Sequence, residues 1–191
     1  MKKIHLQTGV LVLIIFLAVA SRLIAQPFNF SPLGAIALFG AAHFAHRWQA
    51  WLIPITATWL SDLFINNVVY APYYTEFTWF YSGFYWQYGA YFFIVLLGLF
   101  LFKKQISVGR VFGGAIGAGL IFFLISNFGT WAGGTMYPKT FSGLMACYGA
   151  GIPFFKGTLM GNLFYSSLLY GGYYLLQKKV TVFRLKHIKY T

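Results

Sequence analysis

Apolar residues fall into six long runs separated by short polar breaks, at about 8–26, 32–46, 49–70, 80–102, 108–129 and 153–176. Most of these runs reach the ~20 residues that an α-helix needs to cross the hydrocarbon layer. The second is shorter, which predicts little tilt or a locally thinned bilayer. The pattern therefore predicts an all-α integral membrane protein: six transmembrane helices in a single membrane domain over residues 1–191, closed by a basic tail at 177–191. The widest interruption runs from Ser126 to Asn162 and brings glycines, threonines, two prolines and two lysines into an apolar sequence. Its centre, about 130–152, reads as a long outer loop. Such a loop is too apolar for disorder, and loops of this length commonly carry function. It is either a folded cap over a pocket or a packed connection that closes the bundle.

Polar positions inside the runs are few. Thr58, Asp62 and Asn66 recur at i, i+4 and i+8 on the third helix, and Thr158, Asn162 and Ser166 do so on the sixth, so each set forms one stripe. Both stripes reach about 12 Å below the outer helix end, and Arg22 stands at a similar level. An ionisable group at that depth faces a cavity or a charged partner. Asp62 thus either shapes a ligand site or pairs with Arg22 or Lys156. On the second helix Gly34, Ala37, Ala41 and Ala45 make a small-residue face, suited to internal packing or to docking of a separate membrane partner. Gly157 and Gly161 form a GxxxG pair on the sixth. Between Tyr70 and Phe93, fourteen of 24 residues are aromatic. They read as an interfacial belt or, with Glu76, as part of the wall of a pocket for a flat ligand.

Composition removes the soluble alternative. Of 191 residues 59% are hydrophobic and 8% charged, more apolar surface than a soluble domain of this size can bury. Cys147 is the single cysteine, which excludes an internal disulfide framework and a multi-cysteine metal site. The net charge of +12 is an orientation signal rather than a nucleic-acid signature. With the N-terminus inside, eleven of the fourteen Lys and Arg lie in the cytoplasm, and Arg22, Lys139 and Lys156 lie outside. That asymmetry predicts both termini in the cytoplasm. The first run also fits a signal peptide cleaved near Ala18-Val19-Ala20-Ser21, although its apolar character continues to Ala25.

The segments PFNFSPLGAIALFGAAHF, WLSDL, SNFGTW, MYPKT, ACYGAGIPFF and KGTLMGNLF resemble successive blocks of a bacterial membrane-protein family known as a domain of unknown function, over about residues 21–172. That resemblance implies a bacterial cytoplasmic membrane location and supplies no activity. Six helices, long outer loops and a small-residue face are also similar to the substrate-binding S-components of energy-coupling-factor (ECF) vitamin transporters. This second likeness implies a ligand held near the outer surface and an alanine face that docks a transmembrane coupling subunit with its ATPases. The expectation is a transport protein that captures a small flat or aromatic micronutrient from outside, with membrane lipid around it. No nucleic acid, cofactor or metal is expected. The candidate ligand-binding residues are Asp62, Asn66, Glu76, Asn29, Asn127, Trp131, Tyr137, Asn162, Arg22 and Lys156, and the candidate docking residues are Ala37, Ala41 and Ala45. The alternative is a non-catalytic structural or assembly subunit of a larger membrane complex. An enzyme is not expected, because two acids leave little acid–base machinery, and no G-x-x-x-x-G-K-[ST] phosphate loop is present.

Overall fold

The computed structural model describes residues 2–24, 28–180 and 189–190. Among them are six α-helices: α1 (Lys2–Ala20), α2 (Leu33–His43), α3 (Arg47–Phe64), α4 (Phe84–Leu101), α5 (Val108–Gly133) and α6 (Phe141–Lys179). Short 3-10 turns follow α1 and lie within the α3–α4 connection, and α3 ends in a π turn at Ile65–Val69. A two-residue parallel ladder joins β1 (Gln105–Ile106) to β2 (Lys189–Tyr190). Four segments, Leu6–Leu23, Arg47–Val69, Phe84–Leu101 and Val108–Gly133, are long and apolar enough to cross a membrane.

The other two helices depart from the expected spans for opposite reasons. Helix α2 has 11 residues and is about 16 Å long at 1.5 Å per residue, half the hydrocarbon thickness. All of its residues are buried, and it touches each of the other five helices. A helix apolar on every side belongs in a core, and α2 is the centre of this one. Phe39 and Tyr173 meet edge to face beside it, and His43 Nδ1 donates to the Phe39 carbonyl at 2.9 Å. Helix α6 has 39 residues, ample length, but its glycines, serines and tyrosines dilute its apolar character.

The expected outer loop at 130–152 is a correction. Only residues 134–140 separate α5 from α6; the rest of that stretch is the last turn of α5 and the first turns of α6. Glycine and proline made it read as a loop, since both disfavour helix. Local contacts override them. Thr140 caps α6 by accepting from Gly143 N at 3.2 Å. Lys139 closes the end of α5 by donating to the carbonyls of Trp131 and Gly134, where cations favour the negative end of the helix dipole. Trp131 Nε1 donates to Pro138 O at 2.8 Å. Farther along, Asn127 lies against Gly151, where a Cβ would collide with its amide, and Tyr148 donates to Leu124 O at 2.8 Å.

The small-residue faces are also placed. Ala37 and Ala41 are buried, and a Cβ on Gly98 of α4 would fall 2.7 Å from the Ala41 methyl. Of the two readings of that face, the fold uses internal packing for Ala37 and Ala41, which are not free to dock a partner. Ala45 lies exposed beyond the end of α2. The nearest neighbours of the GxxxG pair of α6 come from a connection rather than from a helix. Phe28–Ser31 runs along it, and a Cβ on Gly161 would sit 2.7 Å from Ser31 N, while one on Gly157 would meet the Phe28 carbonyl.

Candidate functional site

Asp62 lies in α3 and faces the turn after α1. Its Oδ1 is 2.7 Å from Arg22 Nη2, and its Oδ2 accepts from Tyr88 Oη at 2.7 Å. Arg22 Nη1 donates to Ser61 Oγ. Ser61 in turn donates to Thr58 O at 2.8 Å, and Thr58 to Pro54 O at 2.8 Å. The Pro54 carbonyl accepts this bond in the turn of α3 where proline interrupts the regular ladder. Of the two candidate partners, Asp62 pairs with Arg22, while Lys156 lies exposed on α6. Tyr81, in the connection before α4, sits close enough to feel the pair. Burial first, and then the Asp62 carboxylate, push its phenol above the ordinary value, against an opposing effect of Arg22.

On the other side of Arg22 lies a cavity of about 360 Å³. Asn29 and Ser31 line it from the connection before α2, and Leu33 and Gly34 from the first turn of α2. Gln87 and Tyr91 come from α4, Phe122, Ser126, Asn127 and Thr130 from α5, and Thr158 and Asn162 from α6. Each element has a local reason for its place. Asn29 adopts a left-handed backbone, φ 58°, a conformation that asparagine tolerates better than most residues, and this lets the chain turn across Gly157 and Gly161. Asn127 Nδ2 is tied to Phe123 O at 2.8 Å. Tyr91 and Phe122 stack at 5.7 Å between ring centres, 22° apart, and supply the apolar part of the wall. Asn162 is 2% exposed, yet its Nδ2 has no hydrogen-bond partner.

A second hollow of about 300 Å³ shares Gln87, Ser126 and Thr130 with the first and continues between α4 and α5. It follows Trp86, whose ring lies on Gly129 so closely that no Cβ could stand there.

The candidate residues thus separate. Arg22, Asn29, Asn127 and Asn162 come together around the cavity. Asp62 is behind it, holding Arg22. Asn66 and Glu76 share a shallow hollow of about 260 Å³ elsewhere, beneath the α3–α4 connection. Trp131 braces the α5–α6 connection, where Tyr137 also lies. Most of the aromatic run faces outward, with Tyr73 82%, Phe77 59% and Trp79 60% exposed, as a belt would. Tyr91 is its contribution to the cavity. Sequence reasoning missed Gln87, the one amide in an otherwise apolar and aromatic α4; that isolation was the available signal. It also passed over Ser31, Ser126 and Thr130. Among the described residues no group of three His, Cys, Asp or Glu could hold a metal ion.

Four helices of membrane-crossing length around a buried central helix are consistent with a multi-pass membrane protein. The chain belongs to a family of unknown function, DUF6580, which it matches over residues 2–184. No curated protein and no solved structure matches it.

Proposed function

We propose that this chain is a membrane substrate-binding protein, akin to a transporter S-component, that captures a small molecule in the cavity beside Arg22 from the outer side of the bacterial cytoplasmic membrane. The observation that carries this reading is Asn162. An amide donor buried without a partner costs about 1–3 kcal/mol, and such a group in a native fold calls for an explanation, a bound molecule among them. Asn162 belongs to the lining of a cavity that also presents Arg22, Gln87 and a stacked aromatic pair. The cavity is of the size and mixed lining that small-molecule sites have. A coupling subunit, if one energises transport, would meet a face other than Ala37 and Ala41.

Native mass spectrometry of protein extracted in mild detergent tests the reading. Wild type should carry a small organic adduct, and Thr158→Phe, which fills the cavity, should lose it while melting within a few degrees of wild type. A bare wild type, or an adduct equally retained by Thr158→Phe, would reject the cavity as the binding site.

A further inference from the structure

We propose that a groove between the start of α5 and the later turns of α6 holds one acyl chain of an anionic phospholipid, whose headgroup is met by Lys178 and Arg110. The groove shares no lining residue with the cavity beside Arg22, and the proposal does not depend on how that cavity is read.

The groove has a volume of about 470 Å³. Ile106, Val108, Val111 and Phe112 wall it on one side, and the rings of Tyr170 and Tyr174 on the other. Val108 and Phe112 are exposed, so this apolar wall opens at the molecular surface, which in a membrane means towards lipid. Its length suits a lipid chain. Between Tyr174 at the mouth and Ser166 at the inner end, α6 advances about 12 Å at 1.5 Å per residue. The hydrocarbon of one leaflet is about 15 Å deep, half of the full thickness. A chain that enters at Tyr174 therefore stays in the groove for most of one leaflet.

Charge decides which lipid. Lys178 lies one turn beyond Tyr174, its Nζ 4.6 Å from the centre of that ring, and so stands at the mouth. Arg110, in the first turn of α5, donates from Nη1 to the carbonyls of Leu101 at 3.3 Å and Gln105 at 3.1 Å. That holds it next to Ile106, at the same mouth. Its partners there are neutral, so the guanidinium keeps its full charge. Lys103, Lys104 and Lys179 stand exposed at this end of the bundle and strengthen the field. No acid answers them. The chain's two acids are Asp62, bound to Arg22 and Tyr88, and Glu76, in the α3–α4 connection. Both belong to the far end of α4, a helix of 18 residues and about 27 Å. A zwitterionic headgroup would carry a second cation into this field, whereas a phosphate without an amine neutralises it. Basic pockets between membrane helices on the cytoplasmic side hold anionic headgroups in this way, and in the proposed orientation the mouth faces the cytoplasm.

Native mass spectrometry of the delipidated full-length protein in mild detergent tests this with two lipids of identical chains. Palmitoyl-oleoyl phosphatidylglycerol and the matching phosphatidylcholine are added in equal amounts. Wild type should retain one phosphatidylglycerol at least about ten-fold more than phosphatidylcholine, as expected of two cations near a headgroup. Gly171→Phe should abolish the adduct. Gly171 lines the groove, and a Cβ there meets nothing within 4 Å, so the ring fills the groove while the fold is kept. Lys178→Gln, on an exposed side chain, should lower the preference about five-fold. Lys179→Gln, whose side chain leaves α6 on a different face, should lower it by less than about two-fold. Equal retention of the two lipids by wild type, or retention of neither, overturns the proposal. A phosphatidylglycerol adduct that survives in a folded Gly171→Phe protein overturns it too, and so do equal losses in Lys178→Gln and Lys179→Gln, which mark a diffuse surface field instead of a seat.

Discussion

Asp62 is gripped from two sides, so the loss of its charge should be felt first as a loss of stability. Asp62→Asn leaves the Arg22 guanidinium, 18% exposed in its side chain, without its carboxylate. Breaking a largely buried pair from one side costs about 3 kcal/mol, and the melting temperature in detergent should fall clearly. Tyr88→Phe removes one bond to the same carboxylate and should cost less, about 1.5–2 kcal/mol. If both variants melted like wild type, the pair would not be a structural anchor. The sequence made half of this arrangement legible. The depth of Asp62 and its spacing from Thr58 left two readings, a ligand site or a charged partner, and Arg22 was one of the candidate partners. Which partner it had depended on the turn after α1 reaching across to α3, a distance that no spacing within one helix encodes. Asn66 left the stripe for a physical reason as well. The helix changes to a π turn at Ile65, and the wider turn breaks the four-residue register.

At the scale of elements, the same small residues that signalled close approach did not say what approaches. A GxxxG pair is read as a helix seat, yet Gly157 and Gly161 receive the connecting chain at Phe28–Ser31. Gly161→Leu should push that chain off α6, destabilising the fold by about 1–3 kcal/mol through overpacking and removing Asn29 and Ser31 from the cavity. Retention of the small organic adduct should fall with it; full retention by a stable Gly161→Leu protein would contradict the packing described. Asn29 gives a finer test. Asn29→Gly should be close to neutral, whereas Asn29→Ala should cost about 1 kcal/mol because alanine resists the left-handed backbone, and thermal unfolding of the two variants reads the difference. Ala41→Leu belongs at this scale too. Its side chain would enter the contact with Gly98, so the chain itself should lose about 1–3 kcal/mol, even when purified alone. An Ala41→Leu protein that melts as wild type would return that face to a partner.

For the whole molecule, the apolar runs disclosed a mostly helical chain and overlapped all six α-helices, although α6 begins at Phe141, well before its run at 153–176. Span count was less legible, because a run of hydrophobic residues marks burial and does not distinguish lipid from protein as the surrounding medium. The proposed orientation, both termini in the cytoplasm, has a direct check in a Cys147→Ala background, since Cys147 is the native thiol. Ser142→Cys, at the α6 start, should react with an impermeant thiol reagent added to intact cells, and Lys104→Cys, between α4 and α5, should not. The opposite labelling would turn the protein over and place the cavity on the cytoplasmic side.

The central position of α2 bears on how the chain comes to be made. Hydropathy alone gives this helix no resting place in a bilayer. It is too short to bridge the lipid, and in the finished protein it touches neighbours in all directions. Its home is assembled around it by helices that leave the ribosome later, among them α4 with the Gly98 seat and α6 with Asn162. Until those arrive, the growing chain holds an apolar segment awaiting its surroundings. A chain truncated after α3 should therefore be cleared rapidly by membrane proteases, and one that extends through α6 should persist. Maturation of this protein is in that sense an act of enclosure rather than of successive insertion.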